Sequence, residues 1–138
     1  MKGLIAVLST SAALAACTTL SGPDQRARVI AHTLTSTVQL FGLREDSTRR
    51  AGSGIVLGSA GSGDDTLILT TRHLLEPLTE QTILVVDPLR RKQEKARIVA
   101  VSEESDLAIV VVSGLKLTPV LFKSEARLGD AVWVVAFP

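Results

Sequence analysis

Two side chains with the chemistry of proton transfer lie next to apolar runs. His73, one of two histidines, follows the run at residues 67–69, so we expect it just past the end of a buried strand. A side chain there has a rigid base and an exposed tip, which suits a site residue. Asp106 precedes the run at residues 107–112, so we expect its carboxylate at the first position of another buried strand. The alternatives are a histidine without a role and an aspartate that caps a turn.

The lone cysteine, Cys17, ends an N-terminal segment that has the pattern of a targeting signal. Residues 1–16 contain Lys2 and then an apolar stretch over residues 3–13, the composition of a secretory signal peptide. This stretch is too short for a transmembrane helix, which needs about 20 apolar residues. The ending Leu-Ala-Ala-Cys resembles the lipobox of bacterial lipoproteins, which implies removal of residues 1–16 and lipidation of Cys17. The alternative is an ordinary signal peptide, and a single cysteine excludes an intrachain disulfide either way.

Lipidation at Cys17 would decide where the protein is located. Two acyl chains give stable anchoring, so we expect a protein exported across the inner membrane and held in the cell envelope. Thr18 is not the aspartate associated with inner-membrane retention, which favours the periplasmic side of an outer membrane where one exists. Residues 17–35 are then expected to form the lipidated N-terminus, a tether and a short helix.

The composition predicts one small domain with an aliphatic core. The chain has 138 residues, 46% of them hydrophobic, with three phenylalanines, one tryptophan and no tyrosine. Its Val, Ile, Leu and Thr content is typical of strands. The formal net charge is only +1 and includes Lys2. Because no basic stripe is interleaved with aromatic residues, the charge argues against a nucleic acid partner.

The elements that must position His73 and Asp106 form one helix followed by short strands. Pro23 suits a first helical position, and apolar residues at helical spacing extend the helix to about Thr33, with His32 on its solvated side. Alternation from Ser36 onward predicts strands separated by turn signals. The pattern indicates a β-barrel or sandwich with antiparallel neighbours, in which residues 55–57 and 67–69 form a hairpin. The other predicted strands lie at residues 37–42, 82–86, 96–101, 107–112 and 131–137.

Four short segments, taken in order, resemble those of a known protease family. They are Gly52-Ser53-Gly54, Thr70-Thr71-Arg72-His73-Leu74, Ser105-Asp106-Leu107-Ala108-Ile109 and Leu128-Gly129-Asp130-Ala131-Val132. Together they resemble the trypsin-like (chymotrypsin-fold) serine proteases, and most nearly the bacterial envelope proteases of the HtrA/Deg type. The resemblance implies an all-β chain with an antiparallel Greek-key β-barrel over residues 36–122, preceded by the short helix. Residues 123–138 would form a connection and the first strand of a second barrel.

The same resemblance implies roles for the two candidate residues. His73 would be the general base and Asp106 the carboxylate that orients it, in a serine-type endopeptidase acting on proteins or peptides. The resemblance implies no metal or organic cofactor and no nucleic acid partner, and it leaves the oligomeric state open. No Gly-x-Ser-Gly-Gly segment occurs in the sequence, and the family places Ser53 and Ser124 away from the nucleophile position.

Three interpretations account for a chain without that nucleophile. The favoured one is the N-terminal part of a lipid-anchored protease whose serine lies beyond residue 138, since the apolar stretch at residues 131–137 is an unusual terminus. The second is an inactive trypsin-like barrel that binds proteins through an exposed sheet edge. The third is a small structural lipoprotein that is not related to proteases. On the first interpretation, we expect the 138-residue chain alone to be inactive as a peptidase and poorly soluble.

Overall fold

The predicted hairpin is present, and its strands belong to a closed barrel. The computed structural model describes residues 23–61, 63–77, 81–122 and 125–137. The predicted signal peptide, Cys17, the tether, Ser124 and Pro138 lie outside the described residues. Within the described ranges, no helix is both long enough and apolar enough to cross a membrane.

The described residues form one α-helix, six strands and a short 3₁₀ helix. In chain order these elements are α1 (Pro23–Thr35), β1 (Thr37–Arg44), β2 (Arg49–Ser59), β3 (Asp65–Thr70), the 3₁₀ helix (Arg72–Leu75), β4 (Gln81–Asp87), β5 (Lys92–Val101) and β6 (Ala108–Ser113). The predicted helix and the first six predicted strands are confirmed. The helix runs two residues past Thr33, and His32 is exposed as predicted.

The sheet closes on itself, so the barrel is correct and the sandwich is wrong. The strand order is β1-β2-β3-β6-β5-β4, and β1 pairs with β4 to complete the ring. All six strand pairs are antiparallel. Each described strand therefore has two neighbours, and closure removes the free edges that an open sheet would present.

The barrel interior is filled by aliphatic side chains. They come from alternate positions of the strands, because successive residues of a strand point to opposite faces of the sheet. Burying each such side chain stabilises the fold by about 1.5–3 kcal/mol. The fully buried members are Val38, Leu40, Val56, Ile68, Leu75, Val85, Val110 and Val112. The prediction of an aliphatic core is confirmed.

Gly54 allows β2 to approach the core closely. A Cβ at this position would lie 2.4 Å from Cδ1 of Leu40 and 2.5 Å from Cγ2 of Ile68. Both neighbours are completely buried, so neither side chain has room to move away. Glycine at position 54 is therefore a packing requirement of β2, the strand that also carries Arg50.

Two sequence-based expectations need correction. The strand predicted at residues 131–137 is not formed, because a strand requires a hydrogen-bonded neighbour and none is available among the described residues. Its Phe137 is instead held by one side chain: the Ser53 hydroxyl accepts from the Phe137 N–H (2.7 Å) and donates to the Phe137 carbonyl (3.1 Å). Asp106 is also not at the first position of a strand, since β6 begins two residues later at Ala108.

Candidate active site

His73 is carried by the 3₁₀ helix that follows β3. Leu74 and Leu75 of this helix are buried in the core, with exposed fractions of 4% and 0%. Their burial anchors the backbone directly after His73, whose own side chain is 66% exposed. The expected rigid base and exposed tip are therefore present, although the 3₁₀ helix itself was not predicted.

Asp106 lies in the turn that connects β5 to β6. The turn is closed by the N–H of Ser102 donating to the carbonyl of Leu107 (2.9 Å) and by the N–H of Leu107 donating to the carbonyl of Ser105 (2.6 Å). Ser102 caps the turn from within, because its hydroxyl oxygen accepts from the Ser105 N–H at 3.1 Å. These local bonds explain why β6 starts only at Ala108.

Strand register brings the two residues together. β3 and β6 are antiparallel, and their last pair on this side of the barrel is Thr70 with Ala108. Residues just after Thr70 must then lie beside residues just before Ala108. The backbone N–H of Arg72 accordingly donates to the Asp106 carbonyl at 3.2 Å.

The Asp106 carboxylate contacts His73 through both of its oxygens. Oδ1 accepts from the backbone N–H of His73 at 2.9 Å, and Oδ2 pairs with imidazole Nδ1. An ionised carboxylate only accepts hydrogen bonds, so Nδ1 carries the proton in this arrangement. In the neutral imidazole, the other ring nitrogen, Nε2, then has a free lone pair. The Asp106 carboxylate is thus paired with His73, a residue of another element, and does not act as a turn cap.

Electrostatics favour the ionised form of Asp106. The backbone N–H of His73 lowers the pKa of this carboxyl most, and the hydrogen bond from the His73 side chain lowers it further. Slight desolvation opposes the change, while the charges of His73 and Arg72 reinforce it. Both side chains are more than half exposed, so the pair adds little to the stability of the fold. The main effect of the pair is to fix the orientation of the imidazole.

Three arginines support the 3₁₀ helix, two from neighbouring strands and one from its own first position, and their role was not predicted from the sequence. Arg50 of β2 donates from Nη1 to the His73 carbonyl at 2.6 Å. Arg44 of β1 donates from Nη2 to the Glu76 carbonyl at 2.5 Å. Arg72 forms an ion pair with the Glu76 carboxylate at 3.2 Å. In the sequence, the first two stand in a charged cluster typical of a turn, so no local signal marks them as supports for His73.

The remaining sequence candidates lie elsewhere. The Ser53 hydroxyl is paired with the Phe137 backbone and not with His73. His32 is exposed on α1. Among the residues that the structure describes, no group of three or more His, Cys, Asp or Glu side chains is arranged to hold a metal ion. The described site therefore consists of a histidine side chain paired with a carboxylate.

Comparison with solved structures finds the same fold. Rv3671c from M. tuberculosis, as an inactive serine-to-alanine mutant, matches with a TM-score of 0.58 and 23% identity over 90% of this chain and 51% of that one. Deg5 matches with a TM-score of 0.60 and 23% identity over 80% and 55% of the two chains. The serine endoprotease from Yersinia pestis matches with a TM-score of 0.61 and 20% identity, over 75% of this chain and 36% of that one. At these identities the likeness shows the fold alone, and the chain spans about half the length of the first of these structures.

Sequence comparison adds the family. A search among curated proteins finds no match. The profile of the family described as "Trypsin-like peptidase domain" matches residues 52–138. This match covers well over half of the chain and includes both His73 and Asp106, in agreement with the resemblance seen in the motifs. The chain belongs to the trypsin-like peptidase domain family.

Proposed function

We propose that this chain provides the general base and the orienting carboxylate of a serine endopeptidase of the cell envelope. The observation that carries the proposal is the double contact of Asp106 with His73, which leaves Nε2 of the imidazole free. A general base needs a free lone pair on a ring held in one orientation, and the pair supplies both. The substrates would be proteins or peptides.

The proposed reaction requires a serine from outside the 138 residues. As its Oγ attacks the carbonyl carbon of the scissile peptide, His73 Nε2 takes the hydroxyl proton, and the carbonyl π electrons move onto oxygen. The imidazolium then gives this proton to the leaving amine nitrogen as the C–N bond breaks. Asp106 holds the Nδ1–H and stabilises the imidazolium. Donors to the oxyanion would come from the backbone beside the serine and contribute about 3–4 kcal/mol each.

The proposed location follows from the N-terminal sequence. Cleavage before Cys17 and its lipidation would anchor the protein in the envelope, on the periplasmic side and at the outer membrane where one exists. Radiolabelled palmitate fed to the producing cells tests this step directly. We expect label in the wild-type protein and none in Cys17→Ser, whereas equal labelling would remove Cys17 as the acceptor.

A fluorophosphonate probe, which labels only activated serines, tests the peptidase proposal on the protein isolated from its own membranes. We expect label on a serine in a Gly-x-Ser-Gly peptide that is absent from these 138 residues. His73→Ala should remove the label, while His32→Ala, the exposed histidine on α1, should retain it. A native protein with the mass of the processed 138-residue chain and no labelled serine would contradict the proposal.

One observation favours an inactive, lipid-anchored protein-binding barrel as the second candidate. Several large apolar side chains near the end of the described chain are exposed, and such a patch marks an interaction surface in many soluble proteins. They are Leu121, Phe122, Leu128, Val132 and Val134. Because the barrel is closed, this candidate would bind its partner through the apolar patch and not through an exposed sheet edge. Unlabelled protein that captures a defined envelope partner through this patch would favour it over the peptidase.

A further inference from the structure

The charge of the chain is concentrated in the hairpin formed by β4 and β5. Residues 88–97, here named the basic hairpin, contain five basic side chains and one acidic side chain, a local net charge of +4. The whole chain has a net charge of only +1. The remainder of the chain is therefore net acidic.

The tip of the basic hairpin combines cations with an exposed apolar side chain. Leu89 is 56% exposed and is followed directly by Arg90, Arg91 and Lys92. The neighbouring carboxylate, Asp87, is only 3% exposed and is already engaged. Its Oδ1 accepts from the N–H groups of Leu89 (3.0 Å) and Arg90 (3.1 Å), and its Oδ2 pairs with Nη1 of Arg90 (2.8 Å). Asp87 thus holds the tip in shape and compensates one of the three cations.

The other cations at this end remain available. Arg91, Lys92 and Lys116 form no ion pair with any described residue, and all three are exposed. Lys92 and Lys116 line a cleft of about 290 Å³ together with Asp87, Arg90, Gly114 and Leu115. Because the Asp87 charge is matched by Arg90, the cleft presents net positive charge. It is large enough for a phosphate group.

Barrel topology places the basic hairpin and the candidate active site at opposite ends. β4 begins beside Arg44, which holds the 3₁₀ helix, and runs for seven residues to Asp87, about 20 Å away along the strand. β5 returns from Lys92 to the turn that carries Asp106. That turn is acidic, with Glu103 and Glu104 next to Asp106. The site end also carries four arginines, but six carboxylates in residues 44–50, 72–76 and 102–107 outnumber them. The barrel therefore has a basic end and, at the site, a net acidic end.

We infer that the basic hairpin binds an anionic lipid surface and holds the candidate active site away from it. Cations flanking an exposed leucine match the phosphate and acyl regions of a bilayer interface, where each basic residue strengthens binding about fivefold. Repulsion between the acidic turn and the same surface favours the orientation with His73 directed away. The inference goes beyond the proposed peptidase and does not depend on catalysis by His73 and Asp106.

Vesicle flotation tests the lipid contact with the full chain carrying Cys17→Ser, so that no acyl chain is attached. The largely apolar residues 3–13 are expected to bind neutral and anionic bilayers alike. The readout is therefore a ratio: partitioning onto vesicles with one-third phosphatidylglycerol divided by partitioning onto pure phosphatidylcholine. We expect a ratio of at least about tenfold that falls with added salt. A ratio near one would overturn the inference.

Matched variants locate the contact. The double substitution Arg91→Glu with Lys92→Glu should bring the ratio close to one, while Arg49→Glu with Arg127→Glu, the same charge change elsewhere on the exposed surface, should leave it high. Leu89→Ser keeps every charge and should lower partitioning onto the anionic vesicles severalfold. Thermal melts show whether each variant is folded. Equal ratios in the two double variants would contradict the assignment.

Hydrogen exchange and a competitor complete the test without relying on a variant. On anionic vesicles, the wild-type chain should gain protection in residues 88–97 and none in residues 102–107. Protection at residues 102–107 instead would overturn the proposed orientation. The competitor is a DNA duplex, which is a soluble polyanion. If the duplex bound the chain through the same cations and more tightly than the vesicles do, the preferred ligand would be a polyanion and not a lipid surface, and the inference would be overturned.

Discussion

Asp106 holds both the backbone and the imidazole of His73. Its Oδ1 accepts from the backbone N–H at 2.9 Å while its Oδ2 pairs with Nδ1, so one carboxylate fixes the 3₁₀ helix and the ring that the helix carries. The two residues are 33 positions apart in the sequence and are brought together by the register of β3 and β6. The ring orientation thus depends on the barrel as well as on the pair.

Asp106→Asn should disturb the ring while sparing the backbone contact. The asparagine oxygen still accepts from the His73 N–H, but its amide N–H₂ then faces Nδ1 and favours the tautomer protonated on Nε2. Imidazole ¹⁵N spectra of the 138-residue chain should show this switch. In a form of the protein that carries the nucleophile, kcat should fall about 10⁴-fold. An unchanged tautomer, with the same melting temperature as wild type, would contradict the pairing of Oδ2 with Nδ1.

The Asp106 carboxyl should stay ionised at a pH where an ordinary aspartate is half protonated. The His73 backbone N–H and then its side chain lower the pKa below the usual 3.8. A depressed pKa in the folded state means that the contact's contribution to stability is present above about pH 4 and is lost as the pH falls through the folded-state pKa. Titration of the Asp106 carboxyl ¹³C signal measures this directly.

A variant separates the two causes of that pKa change. His73→Ala removes the imidazole but keeps the backbone N–H, which is the larger cause. The Asp106 pKa should therefore rise only part of the way toward 3.8. A complete return would mean that the imidazole, and not the backbone, holds the carboxylate in its ionised form.

Local sequence patterns predicted the strands well, but they did not predict that Asp106 pairs with His73. Alternation of apolar and polar residues is a short-range signal, and it located all six strands, although β2 begins six residues and β5 four residues before the predicted start. The same signal was wrong at residues 131–137, where apolar residues have no described strand to pair with. The residues alone also allowed Asp106 to be a turn cap. Only the family resemblance joined it to His73, because register between distant strands leaves no mark in either segment.

The supports from β1 and β2 show the same limit. Arg44 and Arg50 read as members of a charged turn, yet each donates to a backbone carbonyl near His73. A hydrogen bond from a guanidinium to a carbonyl has no sequence pattern, since its partners lie 32 and 23 residues away. Such contacts are visible only once the barrel has been built.

Arg50→Gln should loosen the 3₁₀ helix without unfolding the barrel. The variant loses the 2.6 Å bond to the His73 carbonyl, a loss of about 1 kcal/mol. Amide hydrogens of residues 72–76 should then exchange about fivefold faster. Arg49→Gln is the matched control, because the Arg49 guanidinium stacks over the Phe41 ring at 4.0 Å and does not touch this helix. Equal exchange rates in the two variants would remove Arg50 as a positioning residue.

Gly54→Ala tests the packing that brings β2 against the core. The added Cβ would lie 2.4 Å from Leu40 and 2.5 Å from Ile68, both fully buried, so the strand or its neighbours must shift. Overpacking of this kind lowers the free energy of unfolding by about 1–3 kcal/mol. Gly63→Ala is the control, since its Cβ would meet only the Asp65 backbone nitrogen at 4.0 Å. Chemical denaturation should show a clear loss for the first variant and a change within about 0.5 kcal/mol for the second. Similar midpoints for both would mean that the barrel accommodates a methyl group at position 54, and that the glycine does not set the distance between β2 and the core.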